Sequence, residues 1–185
     1  MTKGRLIAVV GPSGVGKDSL MEALIAAEPD FHRVRRVITR PRDAGGEDFE
    51  SVSRETFAAR RDRGDFALWW EAHGMFYAIP ASVHRTLALG IDALANLSRA
   101  QLEQAAAVFP DFHVLHVTAA PEVLAARLAA RGRETADQVR ARLARQVPLP
   151  KGLPVTEVDN GGRLADSVDA ALSALYPDRV LRCSR

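Results

Sequence analysis

Apolar positions along the chain fall into short blocks whose spacing alternates between continuous and helical. Leu6 to Val10 is an unbroken apolar run, the pattern of a strand buried on both faces of a parallel sheet. A glycine-bearing turn follows, and Met21, Leu24 and Ile25 stripe one face of a helix predicted over 17–27, with Pro29 against its continuation. Between Phe31 and Gly74 the pattern shortens to β-like pieces over 34–39 and 66–70, around a short helix predicted at 54–63. A helix over 80–89 stops at Gly90, residues 91–97 read as a second core strand, 99–108 as a helix and 112–117 as a third strand. Pro121 suits a first helical turn, and Val123, Leu124 and Leu128 carry that helix to Arg131-Gly132. Thr135 and Gln138 form a capping-box pair for a helix reaching about Gln146, before Pro148. A short strand over 155–158 and a helix marked by Leu164, Val168, Leu172 and Leu175 close the chain.

Strands alternating with helices predict an α/β fold, a parallel β-sheet flanked by helices with right-handed crossovers. With 185 residues, 47% of them apolar, one buried core suffices and a single domain is expected. Its core would comprise 1–30, 78–120 and 150–185, with an inserted lobe at 31–77 and a helical lid at 121–149.

The segment Gly11-Pro12-Ser13-Gly14-Val15-Gly16-Lys17-Asp18-Ser19 sits between the first strand and the first helix, where a phosphate-binding loop belongs. Glycine allows backbone N–H groups to turn inward on phosphate oxygens, Lys17 adds a point charge, and the helix dipole points the same way. The expected ligand is a nucleoside triphosphate and the expected fold a P-loop NTPase. Asp18 departs from the motif, which carries a hydroxyl after its lysine.

Charge is nearly balanced at +2, and no basic stripe is interleaved with aromatic residues, so a nucleic-acid partner is not expected. All cations but Lys3, Lys17 and Lys151 are arginine, a side chain suited to bidentate phosphate contact. Arg127, Arg131, Arg133, Arg142 and Arg145 cluster in the lid segment. Spacings of four (127, 131) and three (142, 145) put each pair on one helical face, and Arg131 and Arg142 are the residues expected to close on a transferring phosphoryl group. Arg40 and Arg42 of the Thr39-Arg40-Pro41-Arg42 stretch, with Tyr77, make a candidate clamp for a second phosphate. The apolar stretches are too short for a membrane span and the N-terminal MTKGR leads into a strand, so a cytoplasmic protein is expected. Cys183, the sole cysteine, excludes an internal disulfide and a cysteine metal site.

These segments, with ITR at 38–40, the stretch Gly74 to Tyr77, RGRETADQVRARL from Arg131 and the VDN turn at 158–160, occur in the order seen in guanylate kinases. The GKDSL loop, Asn96-Leu97-Ser98-Arg99 and RGRE followed by ARLAR resemble more closely the ribose 1,5-bisphosphate phosphokinases, relatives of that family that make 5-phosphoribosyl 1-diphosphate in phosphonate degradation. In guanylate kinases a glutamate and an aspartate accept hydrogen bonds from guanine; the matching positions here are about Leu68 and Asn96, and a clamp tyrosine corresponds to Phe49. Guanine donors left unpaired would cost about 1–3 kcal/mol each.

The resemblance implies ATP at 11–19 with Lys17 on the β- and γ-phosphates, Arg131 and Arg142 over the transferring group, and Arg40, Arg42 and Tyr77 on the acceptor's phosphate. Asn96, Ser98 and Arg99 would face a sugar phosphate from the end of the central strand. Mg²⁺ is implied as well. Asp18 then either supplies a carboxylate ligand or only complements the helix dipole. A guanylate kinase and a non-catalytic guanylate-kinase-like binding module are the alternative functions, and the chain is expected to act as a monomer or homodimer.

Overall fold

The computed structural model describes residues 3–28, 30–41, 47–130 and 148–177. Five parallel strands, β1 (Leu6–Val10), β2 (Phe31–Arg33), β7 (Asp92–Asn96), β8 (Phe112–Thr118) and β9 (Val155–Asp159), form the main sheet in the order β2-β7-β1-β8-β9. Every residue of β1 is fully buried because both faces of the sheet are covered. On one face Leu6, Ala8 and Val10 pack with Ala93, Ala95 and Val114 beneath α3 (Val83–Ala88) and α4 (Leu102–Val108). On the other, Ile7 and Val9 join Leu94, Leu115 and Val117 beneath α1 (Lys17–Ala27) and the C-terminal helix α6 (Leu164–Leu175). The alternation of β1 side chains thus divides the core into two layers.

A second sheet stands beside the first, ordered β4-β3-β6-β5, from β3 (Arg36–Ile38), β4 (Phe49–Ser51), β5 (Phe66–Ala72) and β6 (Met75–Pro80). The β5–β6 hairpin turns on His73 and Gly74, both at positive φ (52° and 70°), as a two-residue turn matched to strand twist requires. Helix α2 (Arg54–Asp62) closes this sheet through Phe57, which packs on Phe66 and Phe76. Helix α5 (Pro121–Ala130) leads away from β8.

Three expectations change. Phe31–Arg33, read as part of the inserted lobe, pairs with β7 in the main sheet. Pro80, read as a helix start, ends β6, and α3 begins at Val83 after Ser82. The helix expected over 99–108 opens with a tight 3₁₀ turn at Arg99–Gln101. The helix expected from Thr135 and the C-terminal Cys183 lie outside the described residues.

Candidate active site

The C-terminal ends of β1 and β7 bring the site together, since Val9 pairs with Asn96 and each strand then enters its loop. Gly11 through Gly16 form the loop after β1. A Cβ on Gly11 would lie 2.4 Å from the carbonyl oxygen of Val117, so only glycine lets the loop pass this close to β8. Gly16 caps α1 in the left-handed region (φ 90°) and offers no side-chain bond to the first-turn N–H groups, which leaves them for an anion. Asn160, buried at the end of β9, donates Nδ2 to the carbonyl of Val15 at 2.7 Å, and Arg127 donates Nη1 to the same oxygen at 3.2 Å. These two bonds fix the tip of the loop from across the fold.

The Lys17 ammonium donates to the carbonyls of Gly11 and Pro12 at 3.0 and 3.1 Å. Burial lowers its pKa from 10.5 to about 8; Arg36 and Arg99 push the same way, while Asp18 and Glu47 oppose them. Asp18 lies in the first turn of α1, where Arg33 donates to its Oδ1 at 2.9 Å. Desolvation, followed by repulsion from Glu47, raises the Asp18 pKa above its ordinary value, and Arg33, Lys17 and Arg36 act against that rise.

The predicted acceptor residues divide. Asn96, at the end of β7, donates Nδ2 to Glu47 Oε2 at 3.2 Å. Leu68 is 2% exposed and belongs to the main core, so this position contributes an apolar side chain to the interior. Arg40 lies over the ring of Phe49, its guanidinium carbon 4.3 Å from the centroid; a cation–π contact thus holds the arginine where a hydroxyl is missing. Tyr77 pairs across the hairpin with Trp70, the rings nearly parallel at 5.5 Å, while Trp69 is exposed beneath Arg61. Ser98 is exposed just before the 3₁₀ turn. Arg99 Nη2 lies 2.9 Å from His116 Nε2, and His116 Nδ1 lies 3.0 Å from Glu157 Oε2. Because an arginine can only donate, His116 accepts at Nε2 and carries its proton on Nδ1. Arg42, Arg131 and Arg142, expected in the acceptor clamp and the lid, lie outside the described residues, as do Arg133 and Arg145.

Five participants were not among the expected site residues. Arg33 on β2 pairs with Asp18, Arg36 on β3 pairs with Glu47, and Arg127 and Asn160 hold Val15. Two signals in the sequence touched them: Asn160 belongs to the VDN turn, and Arg127 to the arginine cluster, where it was not among the residues expected to act. A cleft of about 400 Å³ opens beside the loop, lined by Gly14, Gly16, Ser19, Arg127, Asn160 and Leu164. Among the described residues, no group of three or more His, Cys, Asp or Glu side chains could hold a metal, and no helix is long and apolar enough to cross a membrane.

A glycine loop with a buried lysine at the end of a central parallel strand, facing a second small sheet lined by arginines, defines a P-loop phosphotransferase. Residues 3–149 match the guanylate kinase family, and the chain belongs to it. It is 52% identical over 180 residues to the ribose 1,5-bisphosphate phosphokinase PhnN of Ruegeria sp. (strain TM1040), covering 96% of this chain and 95% of that one. With the protein of the same name from Pseudomonas paraeruginosa (strain DSM 24068 / PA7) it shares 45% identity over 183 residues, 96% and 98% of the two chains. The fold is similar to that of a guanylate kinase from Anaplasma phagocytophilum (TM-score 0.71, 16% identity, covering 96% of this chain and 87% of that one).

Proposed function

We propose that this chain phosphorylates ribose 1,5-bisphosphate with ATP, yielding 5-phosphoribosyl 1-diphosphate and ADP. The observation that carries the reading is a phosphate loop that keeps its glycines and lysine, combined with an altered acceptor side. Where guanine would need acceptors, Leu68 is buried in the core and Asn96 directs its amide N–H at Glu47. The relatives that match nearly the whole chain carry the name of this activity.

ATP would lay its phosphates along 11–19, with its base in the cleft bordered by Arg127, Asn160 and Leu164. Lys17 exchanges its two backbone carbonyls for the β- and γ-phosphates. Arg40 and Tyr77, joined by Arg42, hold the 5-phosphate of the sugar, and Ser98 and Arg99 approach the acceptor from the end of β7. An oxygen of the 1-phosphate attacks the γ-phosphorus in line, the bond to the β,γ-bridging oxygen breaks, and ADP departs. The attacking phosphate is already ionised near pH 7, its second pKa being about 6, so no side chain has to take a proton. Arg131 and Arg142 stabilise the charge on the transferring group, a role that contributes on the order of 10³- to 10⁵-fold in such enzymes.

Mg²⁺ fits the donor set beside Lys17. Asp18 and Glu47 repel each other there, Arg33 occupies only one Asp18 oxygen, and Mg²⁺ commonly takes one or two carboxylates with phosphate and water. When bound, the ion neutralises phosphate charge, and Asp18 is the residue that would hold it. Incubation with ATP and ribose 1,5-bisphosphate followed by ³¹P NMR tests the activity. The expected result is a sugar-attached diphosphate in equal amount to ADP; ADP without that product would contradict it.

A further inference from the structure

Glu47 is the least expected member of the site. Its carboxylate is only 8% exposed, and it sits between Arg36, which donates to Oε1, and Asn96, which donates to Oε2 at 3.2 Å. Arg36 is itself immobilised, with its guanidinium carbon 5.9 Å from the Trp70 ring centroid and 5.4 Å from that of Tyr77. The cation therefore lies against both rings, which also stack on each other. A buried carboxylate coupled electrostatically to both Lys17 and Asp18 lies close to where phosphoryl transfer would occur. It would repel a phosphate group. Each of its oxygens has two acceptor directions, and Arg36 and Asn96 take one apiece, so hydroxyl donors suit the remaining capacity.

We propose that Glu47 is a specificity-determining residue that accepts a hydrogen bond from a ring hydroxyl of the pentose, with Arg36 and Asn96 holding its carboxylate in place. The proposal rests on the acceptor being ribose 1,5-bisphosphate. Repulsion between Glu47 and phosphate, set against attraction at Arg40 and Lys17, orients the sugar with its hydroxyl edge toward β7 and its phosphates away from it. A nucleoside monophosphate would instead bring a base against Arg36, which lies over the Trp70 and Tyr77 rings.

The test compares kcat/KM for ribose 1,5-bisphosphate with that for its 2-deoxy and 3-deoxy analogues, in wild type and Glu47→Gln, with ATP saturating. Wild type should disfavour at least one deoxy sugar by on the order of 10- to 100-fold, the range for losing a hydrogen bond to a charged group. Glu47→Gln should bring that ratio close to one. Glu47→Asp, which keeps the charge and shortens the reach, should lose the discrimination too and serves if the amide variant does not fold. An unchanged ratio in either variant overturns the proposal alone, as does a wild type that uses all three sugars equally. A wild type that phosphorylates none of them overturns the acceptor reading and the proposal together.

Discussion

Lys17 should give the enzyme an alkaline limit well below that of an ordinary lysine. Its ammonium is buried against the loop carbonyls, and its pKa falls from 10.5 to about 8, with burial the main cause. With no ATP bound, the lysine is about 90% charged at pH 7 and only about 3% charged at pH 9.5, as follows from one ionisation near 8. The kcat/KM for ATP, which reports the enzyme before ATP binds, should therefore fall about 30-fold over that interval and approach a tenfold loss per pH unit. At saturating ATP the fall should begin at higher pH, because the triphosphate favours the ammonium form. The assay is coupled ADP release at limiting ATP and saturating acceptor from pH 6.5 to 10, with Lys17→Arg as a control whose profile stays flat above pH 8. Stability moves in the opposite sense. Between about pH 8 and 10.5 the unfolded chain binds the proton that the folded chain has lost, so this residue's contribution to stability rises through that window. The gain is on the order of 3 kcal/mol by the usual conversion, and Lys17→Met should lack it. A kcat/KM profile flat to pH 9.5, or a midpoint near 10.4, would refute the reasoning.

Other expectations concern single residues. Asp92 is buried and accepts from the Arg5 backbone N–H (2.6 Å), Arg5 Nε (3.1 Å) and Nη2 (2.8 Å), and the Tyr176 hydroxyl (2.5 Å); Asp92→Ala should cost about 3–5 kcal/mol, read as a lower urea midpoint at unchanged m-value. Gly16→Ala places a Cβ 2.7 Å from Asn160 Nδ2 at a φ of 90°, so ATP affinity measured by calorimetry should drop at least tenfold while β-sheet content persists. Asp18→Asn and Asp18→Ser should raise the Mg²⁺ concentration needed for half-maximal rate; an unchanged requirement in both would remove Asp18 as a ligand.

Local pattern revealed elements wherever burial was continuous or strictly periodic. Strand β1, helix α1 and helix α6 run between the residues at which the apolar pattern starts and stops. Strand β6 went unread although Met75 to Ile79 is a continuous apolar run, because Pro80 at its end reads equally as a first helical turn, and the three residues of β2 are too few to show which sheet they join. The phosphate loop was legible because its chemistry is contiguous in sequence. The partners that complete the site are distant: Arg36 meets Glu47 from 11 residues away, Asn96 reaches it from 49, and Asn160 reaches Val15 from 145. Each is a single polar side chain whose role depends on strand order, which periodicity does not encode. Leu68 shows the same limit from the other side, since only the structure reveals that its strand position points into the core.

The most direct test of the account is the acceptor preference of one purified enzyme under one set of conditions, measured as kcat/KM for ribose 1,5-bisphosphate and for GMP with ATP as donor. The account predicts a strong preference for the sugar bisphosphate, because Leu68 offers guanine no acceptor, Glu47 is held by Arg36 and Asn96 to receive a sugar hydroxyl, and Arg36 lies over the Trp70 and Tyr77 rings. Equal or faster turnover of GMP would contradict it.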